Sequence, residues 1–275
     1  MGFSSDVLTL ERRADVCWVW LDRPKKHNSL NQELWTDLGQ AMREISADDS
    51  IRVVVIGGRG KSFCAGIDLA ALQTLSGSRH EQSSRAAANL FGLRATEVFQ
   101  RSISSLAECP VPVIAAIQGA CLGGGIDIAT ACDLRLAAAD ALFSVRETKI
   151  GLAADVGTLQ RLPKVLAAGH VAELVYTGKD IDAERARSIG LVNEVYADPE
   201  SLYEAANSLA DEIAANAPLA VRGSKMMLRN GEELTTEQGL LLNNLWTAAT
   251  CLPSNDIQEA VKAFLEKRQP SFTGS

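Results

Sequence analysis

In this 275-residue chain, one stretch gives the strongest indication of the fold and of the functional site: Gly119-Ala120-Cys121-Leu122-Gly123-Gly124-Gly125-Ile126-Asp127. A glycine run that opens a helix points bare backbone N–H groups into a cleft, where they can hold a developing negative charge. A side chain at that turn would keep a substrate oxygen away from the donors, so glycine is required. Two more acids, Glu147 and Asp155, follow shortly after Asp127. Acids beside an oxyanion site predict proton transfer at carbons next to a polarised carbonyl.

The composition is that of an ordinary globular protein, with 47% hydrophobic and 22% charged residues. The length allows one sizeable core with an appendage. A net charge of −7 argues against nucleic acid or an anionic membrane as the main partner. Residues 1–16 lack the apolar core of a secretion signal, and the longest apolar stretch, 111–131, is interrupted by Gln118, Asp127 and four glycines. We therefore expect a cytoplasmic protein that does not span a membrane.

The cysteines and histidines argue against disulfides and metals. The six cysteines form no CxxC pair and lie mostly in apolar contexts, which predicts buried thiols in a reducing compartment. The three histidines, His27, His80 and His170, form no HxxxH motif and no cluster with cysteine. We therefore expect no metal site.

The pattern of apolar residues predicts an α/β core followed by helices. Strands are expected at residues 17–22, 52–57, 113–118, 133–138 and 142–145, and helices over 86–106, over 123–131 and from a cap at Asn28 or Asn31 to about residue 47. Short apolar strands with intervening helices predict a mostly parallel, buried sheet. Residues 73–85 are polar and predict a loop. After Gly157, amphipathic helices are expected over 182–189, 199–216, 219–229, 235–250 and 255–267, with one late strand at 191–195.

Three motifs resemble the crotonase (enoyl-CoA hydratase/isomerase) superfamily. They are Arg23-Pro24 to Asn28-Ser29-Leu30, Phe63-Cys64-Ala65-Gly66-Ile67-Asp68-Leu69, and Gly119 to Asp133. The similarity extends from about Val16 to Ser271. It implies a crotonase-like ββα spiral core over residues 1–200 and a C-terminal helical trimerisation region over 201–275, in homotrimers or homohexamers. It also implies an acyl-CoA thioester substrate, in which coenzyme A is part of the substrate and no separate cofactor is needed.

The resemblance also implies site residues. The backbone N–H groups of Ala65 and Gly124 would form the oxyanion hole. The substrate-binding positions would be Arg23, Lys25, Lys26, Ala65, Gly66, Ile67, Asp68, Leu69, Gly124, Phe264 and Lys267. For the basic residues at 23, 25 and 26 a solvated loop is the alternative to a site for CoA phosphates. For Asp68 we favour a simple helix N-terminal acid, and Phe264 with Lys267 resembles adenine and phosphate contacts that a neighbouring subunit sometimes supplies.

The acids distinguish branches of the superfamily. Residues 151–164 (Gly-Leu-Ala-Ala-Asp-Val-Gly-Thr-Leu-Gln-Arg-Leu-Pro-Lys) resemble dienoyl-CoA isomerases, whereas a typical hydratase has glutamate at positions 127 and 147 and glycine at 155. The isomerase resemblance implies that Asp155 transfers a proton at substrate carbon C2 and that Glu147 transfers one at C6. Asp127 would orient one of these two carboxylates.

Each acid also has an ordinary structural interpretation. Glu147 could be a solvated residue between two basic ones, Asp127 could stabilise a helix dipole, and Asp155 could be a helix N-cap. Two other functions stay open. One is hydration of a 2-trans-enoyl-CoA, with Asp127 and Glu147 holding one water molecule. The other is a non-catalytic acyl-CoA-binding scaffold.

Overall fold

The computed structural model describes residues 2–70, 84–231 and 233–275, so the loop predicted at 73–85 lies almost wholly outside the described residues. The described residues form two sheets. Their strands are β1 Leu8–Arg13, β2 Val16–Leu21, β3 Val53–Gly58, β4 Val113–Ile117, β5 Ala120–Leu122, β6 Leu134–Ala138, β7 Leu142–Ser144, β8 Ile181–Asp182 and β9 Glu194–Tyr196. The larger sheet has the order β1-β2-β3-β4-β6-β9, and the smaller has the order β5-β7-β8. Only β1 pairs antiparallel in the larger sheet, which confirms the mostly parallel arrangement.

The helices cover both faces of the larger sheet. They are α1 Gln32–Ser46, α2 Arg85–Glu108, α3 Gly124–Ala131, α4 Thr158–Val165, α5 Ala168–Thr177, α6 Ala183–Ser188, α7 Pro199–Ala214, α8 Pro218–Asn230, α9 Thr236–Trp246 and α10 Asn255–Glu266. On one face, the apolar stripes of α1 and α2 join the main core cluster. On the other face, Leu202, Ala206 and Ala210 of α7 pack against Trp18 and Val55. Because β2, β3 and β4 are buried on both faces, their side chains form continuous apolar runs.

Two isolated backbone pairings hold the second motif between the first motif and the glycine turn. Leu30 pairs with Ile67, and Cys64 pairs with Cys121 of β5. Since β5 leads into α3 after a single residue, the segment from Cys64 to Ile67 lies directly beside the first turn of that helix. The fold therefore joins motifs that are some sixty residues apart in the chain.

Several local predictions need correction. Asn31 caps α1 by accepting a hydrogen bond from the Leu34 N–H, whereas Asn28 is buried and holds the turn at Arg59 and Ser62 instead. The late strand is Glu194–Tyr196 rather than 191–195. Sequence reasoning missed β1, whose alternating polar residues form an exposed edge, and it gave no bounds for α4 or α5.

The C-terminal helices differ from the rest of the chain in their exposure. Since α7 packs on the sheet, the core extends past the predicted boundary at residue 200, and the exposed helices begin with α8 at Pro218. They carry large uncovered apolar side chains, among them Leu228 (80% exposed) and Phe264 (83% exposed). Within the described ranges, no helix has both the length and the apolar character needed to cross a membrane.

Candidate active site

Each glycine of the 123–125 run has its own structural reason. Gly123 has φ of 50° and ψ of −114°, a conformation that side chains disfavour. A Cβ atom on Gly124 would lie 2.5 Å from Leu30 Cδ1, and one on Gly125 would lie 2.6 Å from the Cys64 carbonyl oxygen. Close packing therefore explains Gly125, while Gly123 and Gly124 shape the turn that faces Glu147 and the second motif.

Two backbone N–H groups at this turn are available to a ligand. Gly124 is the first residue of α3, so its N–H has no intrahelical acceptor, and it has no other acceptor in the described part of the chain. Ile67, on the adjoining segment, likewise has an N–H without an acceptor in the described ranges. Gly66 brings the two segments together, since a Cβ atom on it would lie 3.5 Å from the Gly124 nitrogen.

Ala65, in contrast, has already used its donor. Its N–H donates to the His27 carbonyl oxygen at 3.0 Å. The prediction that Ala65 supplies an oxyanion donor is therefore wrong, and Ile67, two residues further on, has the N–H group that is left without an acceptor in the described ranges. Sequence reasoning missed this because the difference depends on a hydrogen bond to the first motif, and no local pattern reports it.

Glu147 is a half-buried acid beside the glycine turn. It opens a short 3₁₀ helix, Glu147–Ile150, after β7. Its Oε1 atom lies 3.3 Å from the position that a Cβ atom on Gly123 would take. Its Oε2 atom is sealed from solvent and has no hydrogen-bond partner among the described residues. Burial, reinforced by the nearby Asp127 and Asp155 charges, raises the pKa of Glu147 to about 7. A solvated surface role is thereby excluded, and the carboxyl group is able to carry a proton near neutral pH.

Asp127 is the most deeply buried of the three acids, with 1% of its surface exposed. Its Oδ1 atom accepts two hydrogen bonds from Thr158, from the N–H at 2.6 Å and from the hydroxyl at 2.7 Å. Burial raises the pKa of Asp127 to about 6, although both hydrogen bonds and the Arg161 charge favour the ionised form. Its contacts go beyond a helix-dipole role, because they join α3 to the start of α4.

Asp155 lies on the exposed loop before α4. The N-cap of α4 is Gly157, and it makes no side-chain cap hydrogen bond, so Asp155 is not the cap. Its backbone carbonyl oxygen accepts a hydrogen bond from Gln100 Nε2 at 2.6 Å, which anchors the loop to α2. Its charge acts on Glu147 and on Asp127, since it raises the pKa of both. The fold thus brings all three predicted acids into one electrostatic cluster.

A cavity of about 1100 Å³ lies between α2, α4 and α8. Asp155 and Gln100 line it, together with Arg161, Lys225 and Leu228, but Gly124, Asp127 and Glu147 do not. Volume therefore does not identify the reacting centre. We locate it instead by the free N–H donors and the unpartnered buried carboxylate oxygen, because these groups can do chemistry.

The predicted CoA-binding residues fall into three environments. The Arg23 guanidinium pairs with the Asp68 carboxylate at 3.1 Å, and this hydrogen bond holds the pKa of Asp68 below its usual range. Leu69 begins a helix, and Asp68 accepts a hydrogen bond from the Ala70 N–H, which confirms the prediction that Asp68 is a helix N-terminal acid. Lys25 and Lys26 are exposed, as are Leu69, Phe264 and Lys267. Because Arg23 is engaged by Asp68, the lysines are the better candidates for phosphates.

Phe264 and Lys267 lie at the end of α10, on the exposed C-terminal region. Their role in binding an adenine and a phosphate stays a prediction. Within the described ranges, no three His, Cys, Asp or Glu side chains are grouped as metal ligands would be.

The chain resembles known proteins over nearly its full length. The family model described as enoyl-CoA hydratase/isomerase matches residues 11–275. The chain is 41% identical to a mitochondrial Δ(3,5)-Δ(2,4)-dienoyl-CoA isomerase of Dictyostelium discoideum, over 94% of this chain and 87% of that protein. It is 35% identical to a peroxisomal Δ(3,5)-Δ(2,4)-dienoyl-CoA isomerase of Arabidopsis thaliana, over 97% of this chain and 96% of that protein. The crystal structure of an enoyl-CoA hydratase from Bacillus anthracis superposes with a TM-score of 0.88 at 32% identity, covering 98% of this chain and all of that one.

These comparisons confirm the crotonase-like fold. The names of the two isomerases assign them to mitochondria and peroxisomes, which disagrees with the expectation of a cytoplasmic location for this chain. That location stays a prediction.

Proposed function

This chain is an enzyme of the enoyl-CoA hydratase/isomerase family, and we propose that it shifts the double bonds of a 3,5-dienoyl-CoA thioester to positions 2 and 4. One observation carries the proposal, namely the different environments of the three acids. Glu147 has a buried, unpartnered oxygen at the glycine turn, Asp155 is exposed to water, and Asp127 is held by Thr158. Separate acids in different environments suit a proton transfer between distant carbons.

The proposed reaction begins at the thioester carbonyl. Its oxygen accepts hydrogen bonds from the N–H groups of Gly124 and Ile67, which stabilise the negative charge of the enolate as it forms. Asp155 removes a proton from C2, and the electrons of the broken C–H bond form the C2–C3 double bond. The C3–C4 pair moves to C4–C5, and the C5–C6 pair takes a proton from Glu147 at C6. Coenzyme A is part of the substrate, and proton transfer is the only chemistry required.

The protonation states fit these roles. Because the pKa of Glu147 is raised to about 7, a large fraction of its side chain is protonated near neutral pH and can donate. The Asp155 side chain is exposed, so it is accessible to a substrate. By analogy with oxyanion holes in acyl transfer, each of the two free N–H donors would stabilise the transition state by roughly 3 kcal/mol.

Hydration of a 2-trans-enoyl-CoA is the second candidate, supported by the resemblance to solved hydratase structures. It requires that Asp127 and Glu147 hold one water molecule together. Asp127 Oδ1 already accepts two hydrogen bonds from Thr158, which disfavours that role. A non-catalytic scaffold is disfavoured further, since binding alone needs none of the three acids.

The deciding experiment measures turnover of the purified protein on a 3,5-dienoyl-CoA and on a 2-trans-enoyl-CoA. We expect the conjugated 2,4-dienoyl-CoA to form fast and hydration to be slower by at least about tenfold. A tenfold difference in rate corresponds to about 1.4 kcal/mol of transition-state stabilisation. Fast hydration with undetectable isomerisation would instead assign the hydratase function.

We also propose assembly into homotrimers or homohexamers through the C-terminal helices. Leu228, Leu240, Leu245, Phe264 and Leu265 are all more than half exposed in the single chain. An apolar surface of that extent is costly in water, so it is typical of a subunit interface. Light scattering should give the mass of three or six chains, and a monomer at micromolar concentration would contradict the proposal.

A further inference from the structure

In the part of the chain that the structure describes, the side-chain hydrogen bonds that join the glycine helix to the end of the Asp155 loop are those between Asp127 and Thr158. Thr158 is completely buried, and both of its donors, the N–H and the hydroxyl, reach the same oxygen, Oδ1. Hydrogen bonds to a charged carboxylate are about twice as strong as neutral ones. The link therefore holds α3, which begins at Gly124, against the start of α4.

The same link limits what Asp127 can do. An ionised carboxylate offers about four lone-pair sites, two on each oxygen, and Thr158 fills those of Oδ1. A hydrating water would need Asp127 and Glu147 as simultaneous partners, and Asp127 has only Oδ2 left for it. Since Asp127 is buried and is fixed in direction by Thr158, it cannot turn Oδ1 toward a substrate without leaving two buried donors unpaired.

Other contacts on the Asp155 loop come from the opposite side. Gln100 of α2 donates to the Asp155 carbonyl oxygen, and Arg161 donates to the Val156 carbonyl oxygen and to Ser104. These contacts attach the loop to α2, whereas in the described part of the chain the side-chain hydrogen bonds to the glycine helix are those of Thr158 with Asp127. Thr158 thus fixes the separation between the oxyanion donors on α3 and the acid at position 155.

We propose that Thr158 is the positioning residue that sets the preference of this enzyme for isomerisation over hydration. It acts through Asp127, by committing one carboxylate oxygen and by fixing the Asp155 loop against α3. The inference rests on the proposed function. The inference extends that function, because it assigns the choice of reaction to a residue that touches no substrate.

The charges around Asp127 come from several elements. Arg161 lies on α4, Asp155 on the preceding loop and Glu147 on the 3₁₀ helix. The Asp127 charge also acts on the buried thiols of Cys64 and Cys121, whose pKa values are raised mainly by burial. Substitution of Thr158 leaves all of these groups in place, so a changed titration of Asp127 reports the lost hydrogen bond.

The first test compares Thr158→Val with Thr158→Ser. Valine has the shape of threonine without the hydroxyl, and serine restores the hydroxyl. For Thr158→Val we expect the isomerisation kcat to fall by about ten- to a hundredfold, as for loss of a hydrogen bond to a charged group. KM should stay within about twofold, since a residue that touches no substrate does not contribute to uniform binding. Hydration of 2-trans-enoyl-CoA should rise, and Thr158→Ser should stay close to wild type in all three measurements.

The second test needs no activity. Because the folded pKa of Asp127 is raised to about 6, this acid stabilises the fold fully below its unfolded pKa, and that contribution is lost as pH rises through about 6. The Thr158 hydroxyl reduces the loss, since it favours the ionised form. The urea midpoint of Thr158→Val should therefore fall further below wild type at pH 8 than at pH 5.

The matched control is Thr130→Val, on the same helix as Asp127. The Thr130 hydroxyl is also buried, but it donates to the backbone carbonyl oxygens of Ile126 and Asp127 rather than to a carboxylate. The loss of stability caused by Thr130→Val should therefore be equal at pH 5 and pH 8.

The outcomes separate the two proposals. A wild type that only hydrates overturns the proposed function and, with it, the preference assigned to Thr158. If the wild type isomerises, the proposed function stands whatever the Thr158 variants do. Unchanged rates in Thr158→Val, an equal loss in Thr158→Ser, or a stability penalty that is the same at pH 5 and pH 8 would each overturn the role of Thr158.

Discussion

The two ends of the candidate site carry the same functional group in opposite surroundings. At the glycine helix, Glu147 and Asp127 are withdrawn from water, and the pKa values of both are raised, to about 7 and about 6. At the loop before α4, Asp155 is exposed. Carboxylic acids of nearly equal intrinsic acidity thereby become different reagents, because desolvation penalises the charged form only where water is excluded. The predictions below test this contrast, beginning with the largest effect.

Removal of the buried acid should have the largest effect. In Glu147→Gln the amide cannot donate a proton to C6, so we expect isomerisation to fall by about 10⁴-fold, the upper end for a positioned acid. The free energy of unfolding at pH 8 should not decrease, since the variant no longer buries an unpaired charge. Steady-state rates and urea titrations measure both quantities.

A matched control for that variant is Glu33→Gln, an exposed glutamate in the first turn of α1. It should retain wild-type rates. A Glu147→Gln enzyme that turns over as fast as this control would remove Glu147 from the mechanism.

Removal of the exposed acid should have a smaller effect. In Asp155→Asn we expect isomerisation to fall by about 10²–10³-fold, because water at an exposed position can partly replace a lost base. Any hydration activity should survive. Stability should change little, since Asp155 does not cap α4. If Asp155→Asn lost as much activity as Glu147→Gln, the difference in solvent access would not govern the two roles.

Obstruction of the oxyanion turn should come next. In Gly124→Ala the new methyl group would meet Leu30, and the shifted turn should reduce kcat by about 10²-fold, as for loss of one oxyanion donor. The control is Leu30→Ala, alone and combined with Gly124→Ala. The double variant relieves the contact, so its stability should recover relative to Gly124→Ala. A full recovery of kcat as well would show that packing, rather than the donor, explains the loss.

The pH dependence should be the mildest test. Since Glu147 must be protonated to donate, kcat/KM should fall as pH rises through about 7, the pKa of this group, approaching about tenfold per pH unit above it. In Asp155→Asn the same limb should move to lower pH, because a negative neighbour that raises the pKa of Glu147 has been removed. A basic limb that stays in place would indicate that the two ends do not interact.

Much of the fold was predictable because it depends on local patterns. The buried strands at residues 53–58 and 113–117 are apolar over their full length, and the glycine helix begins within the glycine run, at Gly124. The edge strand β1 was missed for the same reason, since its sequence, Leu-Thr-Leu-Glu-Arg-Arg, turns polar toward the exposed end.

The site was predictable in its residue types but not in all of its roles. The three acids and Gly124 were identified from motif and spacing, and the structure brings them together. The sequence analysis assigns a donor role to Ala65, which the structure contradicts, and assigns no role to Thr158. Both roles depend on long-range partners, since Ala65 donates to His27 and Thr158 donates to Asp127.

The sequence by itself determined that glycines would open a helix beside a set of acids, because backbone conformation and helix initiation depend on neighbouring residues. Only the tertiary structure decided which N–H groups stay free, which acid is buried and which is held by a threonine. These properties arise from desolvation and from hydrogen bonds between segments that are distant in the chain, here 31 residues apart for Asp127 and Thr158. No local pattern contains that information, and the proposed direction of proton transfer depends on it.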